Sequence, residues 1–458
     1  MVHAQQNTAV TGPHDGVGEG DDRGERRGTT VHNENHSHLS RSPVPNPPAR
    51  TPVLLGTQLL FNVGFYAVVP FLALVLTEDF GLAAVAVGLV LGVRTFMQQG
   101  MFLIGGVLAD RFGPRRVILF GCAVRIAGFA TLAGSLLTPA PVLALFVLGT
   151  VLTGLGGALF SPGLNILIAE AEARRPAPGP RSRASLFAWL SVTGELGAVI
   201  GPLVGAALLG WGFVVVALGG AAFFLAIGVF LAVALPSTLA DRSVDRPPGR
   251  WWSLRDRRFV GFSALHAADL LAYNQLYLAL PLQLARVPDA AAATAAMFAG
   301  VSVLTLTLQL PVSRWAARVG PAVALRIGYV LSAAGFAVLA VGVSLPLDDA
   351  ARVVAVFVTA ALVILGHMTT HPTALTLAPR FAAGRPTGSF FGLLATCGGI
   401  AVLLGNLVVG ALFAWTAVPS AAWLFLAVPL VVAAAMAPRL LPRTVDQAPV
   451  SKATRATR

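Results

Sequence analysis

From about residue 52 to residue 438 the chain is a succession of long apolar runs, parted by short gaps that hold charges, proline or glycine. A helix needs about 20 apolar residues to cross a ~30 Å hydrocarbon core. Within lipid a backbone must satisfy its own hydrogen bonds, as a helix does. On that basis the first half holds spans at 52–77, 84–109, 117–137, 141–169, 184–209 and 212–235. The second half holds spans at 258–285, 293–316, 322–345, 351–379, 387–413 and 419–438. Composition agrees: 56% of the residues are hydrophobic and 11% charged, against about 25% charged in a soluble domain. So few charges cannot cover a water-soluble surface of this size. The expected fold is an all-α integral membrane protein of about twelve transmembrane helices.

The polar segments set the domains. Residues 1–50 are polar throughout and read as a disordered cytoplasmic tail. His3, His14, His32, His36 and His38 in this tail lack the regular spacing of a metal site. Residues 51–235 make an N-terminal six-helix bundle, and 258–438 a C-terminal one. Between them lies the longest polar interruption, "PSTLADRSVDRPPGRWWSLRDR" (236–257), and 439–458 form a second tail. The gaps after spans 2, 4, 6, 8 and 10 hold Arg111, Arg115, Arg116, Arg174, Arg175, Arg181, Arg183, Arg242, Arg246, Arg250, Arg318, Arg380 and Arg385. Alternate gaps hold Arg286 and Arg352 beside Glu78, Asp79, Asp289, Asp348 and Asp349. The positive-inside bias then puts both termini and the central loop in the cytoplasm of a bacterial plasma membrane. It also accounts for the net charge of +12 without a nucleic-acid partner. Cys122 and Cys397 both fall inside apolar runs, with neither metal-ligand spacing nor a disulfide framework.

The halves repeat one another. "ADRFGP" (109–114) recurs as "ARVGP" (317–321), pairing Arg111 with Arg318, Gly113 with Gly320 and Pro114 with Pro321. "FAWLSVTGELGAVIG" from Phe187 aligns with "FGLLATCGGIAVLLG" from Phe391, and "FSPGL" (160–164) echoes "THPTA" (370–374). Two related bundles with a site between them form the plan of many secondary transporters.

Two motifs stand out. "GGVLADRFGPRRVIL" (105–119) places Gly106, Asp110, Arg111, Gly113, Arg115 and Arg116 in one cytoplasmic gap. Gly105 and Gly106 permit close helix approach, and Asp110 is suited to accept hydrogen bonds from another helix's N-terminus. "GAVIGPLVGA" (197–206) gives Gly197, Gly201 and Gly205 one smooth face, with Pro202 removing a backbone bond. Such a close-packed helix suits the place where the halves meet. With these motifs the chain resembles the major facilitator superfamily, in its drug:proton antiporter branch. The stretch from "GFYAVVP" through "RTFMQQG" to "RIAGFATLAG" is similar to the family's bacterial multidrug-resistance members. The resemblance implies that Asp110 meets helix 11 near Thr387-Gly388-Ser389, with the arginines completing a charge network that holds one state. It also implies that 197–206 is an exporter signature. This chain departs from the family at Pro114, where a basic residue is usual, and at Thr150, where helix 4 usually has arginine.

A charge inside a span costs a few kcal/mol at mid-bilayer, so Arg94, Arg125, Glu195 and Asp269 need reasons to be there. Glu195 and Asp269 are the candidate proton-exchanging carboxylates; the competing reading pairs each structurally with Arg94 or Arg125. His266 lies three residues before Asp269, on the same helical face. His367 and His371 are spaced i, i+4 within "GHMTTHPTA". No Glu follows the first His as in a metalloprotease helix, so proton handling is favoured over a metal. Gln98, Asn165, His266, Tyr273, Asn274 and His367 are the candidate polar contacts of a substrate cavity.

The sequence therefore reads as a secondary transporter, exporting small hydrophobic or amphipathic compounds against inward proton flow. A proton-coupled metabolite importer and a non-transporting membrane sensor or scaffold are the alternatives. The expected partners are a small-molecule substrate, protons and the lipid bilayer, with the monomer as functional unit. No P-loop, nucleophile–base or metal motif marks the chain as an enzyme, and no cofactor is expected.

Overall fold

The computed structural model describes residues 51–137, 140–175, 183–235, 251–285, 287–346, 348–415, 418 and 420–442. Residues 1–50, the second tail beyond residue 442 and most of the 236–257 loop lie outside the described residues, as do Arg181, Arg242, Arg246, Arg250 and Arg286. The first half holds α1 (Thr51–Glu78), α2 (Ala86–Phe112), α3 (Pro114–Leu136), α4 (Leu143–Ala173), α5 (Leu186–Leu209) and α6 (Phe213–Ala234). The second holds α7 (Arg257–Asn274), α8 (Ala292–Val319), α9 (Pro321–Gly342), α10 (Asp349–Ala382), α11 (Gly388–Phe413) and α12 (Ala421–Leu440). Among the described residues there is no strand.

Eleven of these helices are long and apolar enough to cross a membrane; α7 is the exception. The sequence reading expects one span over 258–285, but the helix stops at Asn274 and resumes at Ala279–Leu284. The break has a counterpart in α1, where Tyr66 ends one helix and Leu72 begins the next across a 3-10 turn. "YAVVP" (66–70) and "YLALP" (277–281) mark the two sites. A proline cannot donate its backbone bond, so both spans interrupt there. At the α7 break Gln275 Nε2 donates to the Leu271 carbonyl and to Asn406 Oδ1, and Asn406 donates on to Asn274. These amides bind the interrupted backbone to α11.

Local chemistry sets the other boundaries. Gly113 and Gly320 adopt φ of 86° and 84°, and each is followed by a proline at the first helical position. The same turn thus links α2 to α3 and α8 to α9. Ser185, Asp256 and Asp348 cap α5, α7 and α10 through side-chain oxygens that accept from Ala188, Phe259 and Ala351.

The packing repeats with the sequence. Helix α1 lies on α5 and α6, α3 on α4 and α6, and α2 on α4; six helices later, α7 lies on α11 and α12, α9 on α10 and α12, and α8 on α10. Contact between the halves runs mainly along two seams, α2 with α11 and α5 with α8. At the first seam the backbones nearly touch: a methyl group on Gly106 would strike the Gly388 carbonyl, and one on Gly388 the Gly106 carbonyl. The α5 glycines behave differently from expectation. Gly197, Gly201 and Gly205 face α1 within their own half, against Asn62, Tyr66 and Ala67. The inter-half face of α5 is a different one, carrying Ser185 and Glu195.

Candidate functional site: a cavity between the halves

A cavity of about 370 Å³ lies between the two sets of helices, within the size range that takes drug-like ligands. One wall is polar with Asn62, Tyr66, Gln98, Asn165 and Glu195; the other presents Tyr273, Tyr277, Gln309, His367 and His371. Phe102, Leu270, Leu375 and Phe391 supply apolar surface. The two tyrosines at the α1 and α7 breaks, Tyr66 and Tyr277, therefore face the same space.

Glu195 reaches across the α5–α8 seam, where its carboxylate accepts a 2.7 Å hydrogen bond from Ser302. Asp269 is buried behind the opposite wall. Its Oδ2 lies 2.8 Å from His367 Nδ1, and its Oδ1 accepts from Thr370 at 2.6 Å. His266 turns its Nδ1 to the Tyr329 hydroxyl at 2.8 Å, leaving Nε2 4.0 Å from Asp269. His371 stacks on His367, with ring centres 4.9 Å apart, and His367 in turn stacks on Tyr273. Ligand atoms of His266, Asp269 and His371 come within 4.8 Å of one another. Both oxygens of Asp269 already have protein donors, so the geometry fits a hydrogen-bonded relay better than a cation cage. The relay opens to the cavity through His367 and His371.

Of the residues singled out in the sequence, Gln98, Asn165, Glu195, Tyr273, His367 and His371 line the cavity. His266 and Asn274 do not. His266 is directed at α9, and Asn274 is held by Asn406 on α11. Neither carboxylate pairs with an arginine. Arg125 lies 4.1 Å from the Phe61 ring centre and donates to the Thr153 carbonyl of α4, while Arg94 donates to Gln98. The guanidinium that reaches α4 thus comes from α3, and Thr150 simply bonds the Phe146 carbonyl of its own helix. Ser302, Thr370 and Tyr329 are the partners that sequence reasoning misses; in a membrane helix nothing distinguishes them from packing residues.

Toward the end that carries the arginine-rich gaps, the seams close. Asp110 accepts from the backbone N–H groups of Gly388 and Ser389 at the start of α11. At the other seam the Ser185 N–H, at the start of α5, donates to the Ser313 hydroxyl of α8 at 3.2 Å. Arg115 donates to the Ala232 carbonyl at the end of α6, and Arg111 lies over the Phe112 ring. A second space of about 440 Å³, bordered by Glu172, Arg175, Arg183 and Arg380, sits at this end. Phe187, Met368 and Pro372 border both spaces.

Residues 54–286 match the sequence profile of the Major Facilitator Superfamily. An uncharacterized MFS-type transporter of Mycobacterium tuberculosis strain H37Rv is 35% identical over 378 residues, 80% of this chain and 86% of the relative. The multidrug resistance protein MdtH of Escherichia coli strain SE11 is 32% identical over 78% of this chain and 83% of its own. The chain belongs to the major facilitator superfamily. Two solved structures of similar fold are the human organic anion transporter MFSD10, at TM-score 0.60 and 19% identity, and the POT family transporter PepTSo, at 0.57 and 15%. The first superposition covers 86% of this chain and 100% of MFSD10; the second covers 86% and 98%. As a superfamily member the protein is a multi-pass membrane transporter. The inter-half cavity and the closing seams are its candidate working parts.

Proposed function

We propose that this transporter exports small hydrophobic or amphipathic compounds in exchange for protons. The two halves rock about the central cavity, so that it opens to one side of the membrane at a time. The observation that carries the reading is the pair of intramembrane carboxylates, Glu195 in the cavity wall of one half and Asp269 behind the wall of the other. A charge at this depth is costly, and a carboxylate that trades its charge for a proton as the halves move turns that cost into coupling. Glu195 is suited to this because its Ser302 partner belongs to the other half. Asp269 is suited because His367 connects it to the cavity. The similarity to MdtH, named for multidrug resistance, supports export of drug-like compounds.

Gating follows from the seams. The Asp110 carboxylate sits at the positive end of α11, where exposed N–H groups and the helix dipole favour an anion. Rocking the halves apart at this end requires breaking its hydrogen bonds from Gly388 and Ser389. Phe187 and Met368, each about 1% exposed, separate the cavity from the space at the arginine-rich end. The closed end is the cytoplasmic one by the positive-inside bias.

The test is a drug-susceptibility panel in an efflux-deficient bacterial host, with proton movement followed in proteoliposomes. Export predicts raised tolerance on expression and proton release from an acid-loaded lumen when substrate is added. Substrate accumulation in the same direction as the protons reverses the reading to import.

A further inference from the structure

The N-terminal half buries two cations without an anion. Arg94 is 9% exposed and Arg125 0%. Among the described residues neither forms a salt bridge. Their guanidinium carbons lie 5.1 and 4.8 Å from the centre of one ring, Phe65. Two like charges are therefore held close together in the membrane interior. Among the described residues Arg125 has ring faces and one carbonyl: Phe61 at 4.1 Å and Phe224 at 5.0 Å besides Phe65, and the Thr153 carbonyl at 3.1 Å. Its Nε and Nη1 have no hydrogen-bond partner. Among the described residues Arg94 has the Gln98 amide oxygen, at 3.3 Å, and the Phe65 ring.

A desolvated cation–π contact returns about 2 kcal/mol or more, set against several kcal/mol for each unpaired buried charge and the repulsion between the two. The balance needs an anion. Among the described residues no carboxylate fills the role: Glu195 is bonded to Ser302, and Asp269 to His367 and Thr370. The cavity is within reach. Gln98 lines it, accepts from Arg94, and crowds the same point beside Gly157 as Arg125 Nη2. Neither arginine lines the cavity, and the Gln98 side chain stands between them and it, so access requires Gln98 to turn aside.

We propose that the transported compound is an amphipathic organic anion, a carboxylate or sulfonate on an apolar body, and that Arg94 and Arg125 supply its counter-charge. This rests on the reading of the cavity as the transport site and names its substrate class. The apolar body has Phe102, Phe391, Tyr66 and Tyr273 to lie against. The inside-negative membrane potential drives an anion outward, the direction proposed for transport.

The experiment uses the full chain in detergent and three fluorescent probes: 1-pyrenebutyrate, its neutral methyl ester, and cationic 1-pyrenemethylammonium. The carboxylate is expected to bind at least about tenfold tighter than the ester, the worth of one charge-assisted contact. Arg94→Gln and Arg125→Gln each reduce that margin while leaving ester affinity in place. Arg94→Lys, which keeps the charge, retains most of it and serves where a glutamine variant fails to fold. Tighter binding of the ammonium, equal binding of acid and ester, or a margin that survives the double glutamine variant would overturn the proposal. The same probes then separate it from the export reading. Proton-driven outward movement of the ammonium but not the carboxylate sinks the anion class and leaves export standing. Arginine-dependent carboxylate binding without proton-linked movement of any probe supports the anion class and sinks export.

Discussion

Asp110 and Gly388 are 278 positions apart in the chain, yet the carboxylate of one accepts the backbone N–H of the other at 2.7 Å. Ser389 adds a second bond at 2.8 Å. An aspartate at the end of α2 thus completes the N-terminus of α11 in the other half, across a contact where both backbones lack side chains. Opening the seam loses both bonds and exposes the helix end.

Asp110→Asn keeps the shape and removes the charge. Hydrogen bonds to charged groups contribute about 1.5–3 kcal/mol, so the closing equilibrium is expected to weaken by tenfold or more. Membrane insertion should be normal, and initial transport rates at matched protein levels should drop several-fold. Rates equal to the parent protein remove Asp110 from gating.

Bulk on the smooth face of α5 should act on folding. Gly205→Leu drives a side chain into the Ala67 carbonyl of α1, which has no room to retreat. Overpacking typically costs about 1–3 kcal/mol, and an obstacle made of backbone places the expected cost at the upper end. The outcome is a lower thermal midpoint and less monodisperse protein. A stability unchanged from the parent contradicts the packing described. Gly410→Leu is the control, because nothing lies within 4 Å of an added methyl there.

How far these arrangements can be read in the sequence depends on how local their causes are. That Asp110 caps another helix is legible from the motif around Gly106 and Asp110, and that the helix is α11 is legible only through the family resemblance. The helices are legible because apolar length leaves few choices. The α7 break is hidden, since "YNQLYLALPLQLA" reads as one more apolar run and its proline alone does not end a membrane helix. His266 and Asn274 are misassigned for a rotational reason: polarity marks a buried face but not whether that face looks at a cavity or at α9 and α11. Ser302 and Ser313 leave no trace, because a small hydroxyl residue in a membrane helix is ordinary packing material.

The orientation has a direct check. With Cys122 and Cys397 replaced by alanine, cysteines introduced at Asp245 and Asp289 should react with membrane-impermeant reagents from opposite sides. Asp289 should label in intact cells, and Asp245 only after permeabilisation. Labelling of both in intact cells overturns the arrangement of spans, since residue 245 lies in the central loop and 289 between α7 and α8.

Coupling to protons is expected to reside in Glu195 or Asp269. Each is an intramembrane carboxylate with a route to the moving parts: Glu195 loses Ser302 when the α5–α8 seam opens, and Asp269, whose partners lie in its own half, reaches the cavity through His367, which stacks on Tyr273. A neutral amide keeps the size and one acceptor oxygen while abolishing proton exchange. Glu195→Gln or Asp269→Asn should therefore abolish substrate-linked proton flow in proteoliposomes while equilibrium binding of substrate survives. Ser302→Ala separates position from charge, because it removes the inter-half bond and leaves Glu195 able to exchange a proton. That variant should slow coupled transport without eliminating it. If Glu195→Gln, Asp269→Asn and the double variant all still move protons with substrate, neither carboxylate carries the coupling. The role then passes to His371, the cavity-lining histidine stacked between His367 and His266.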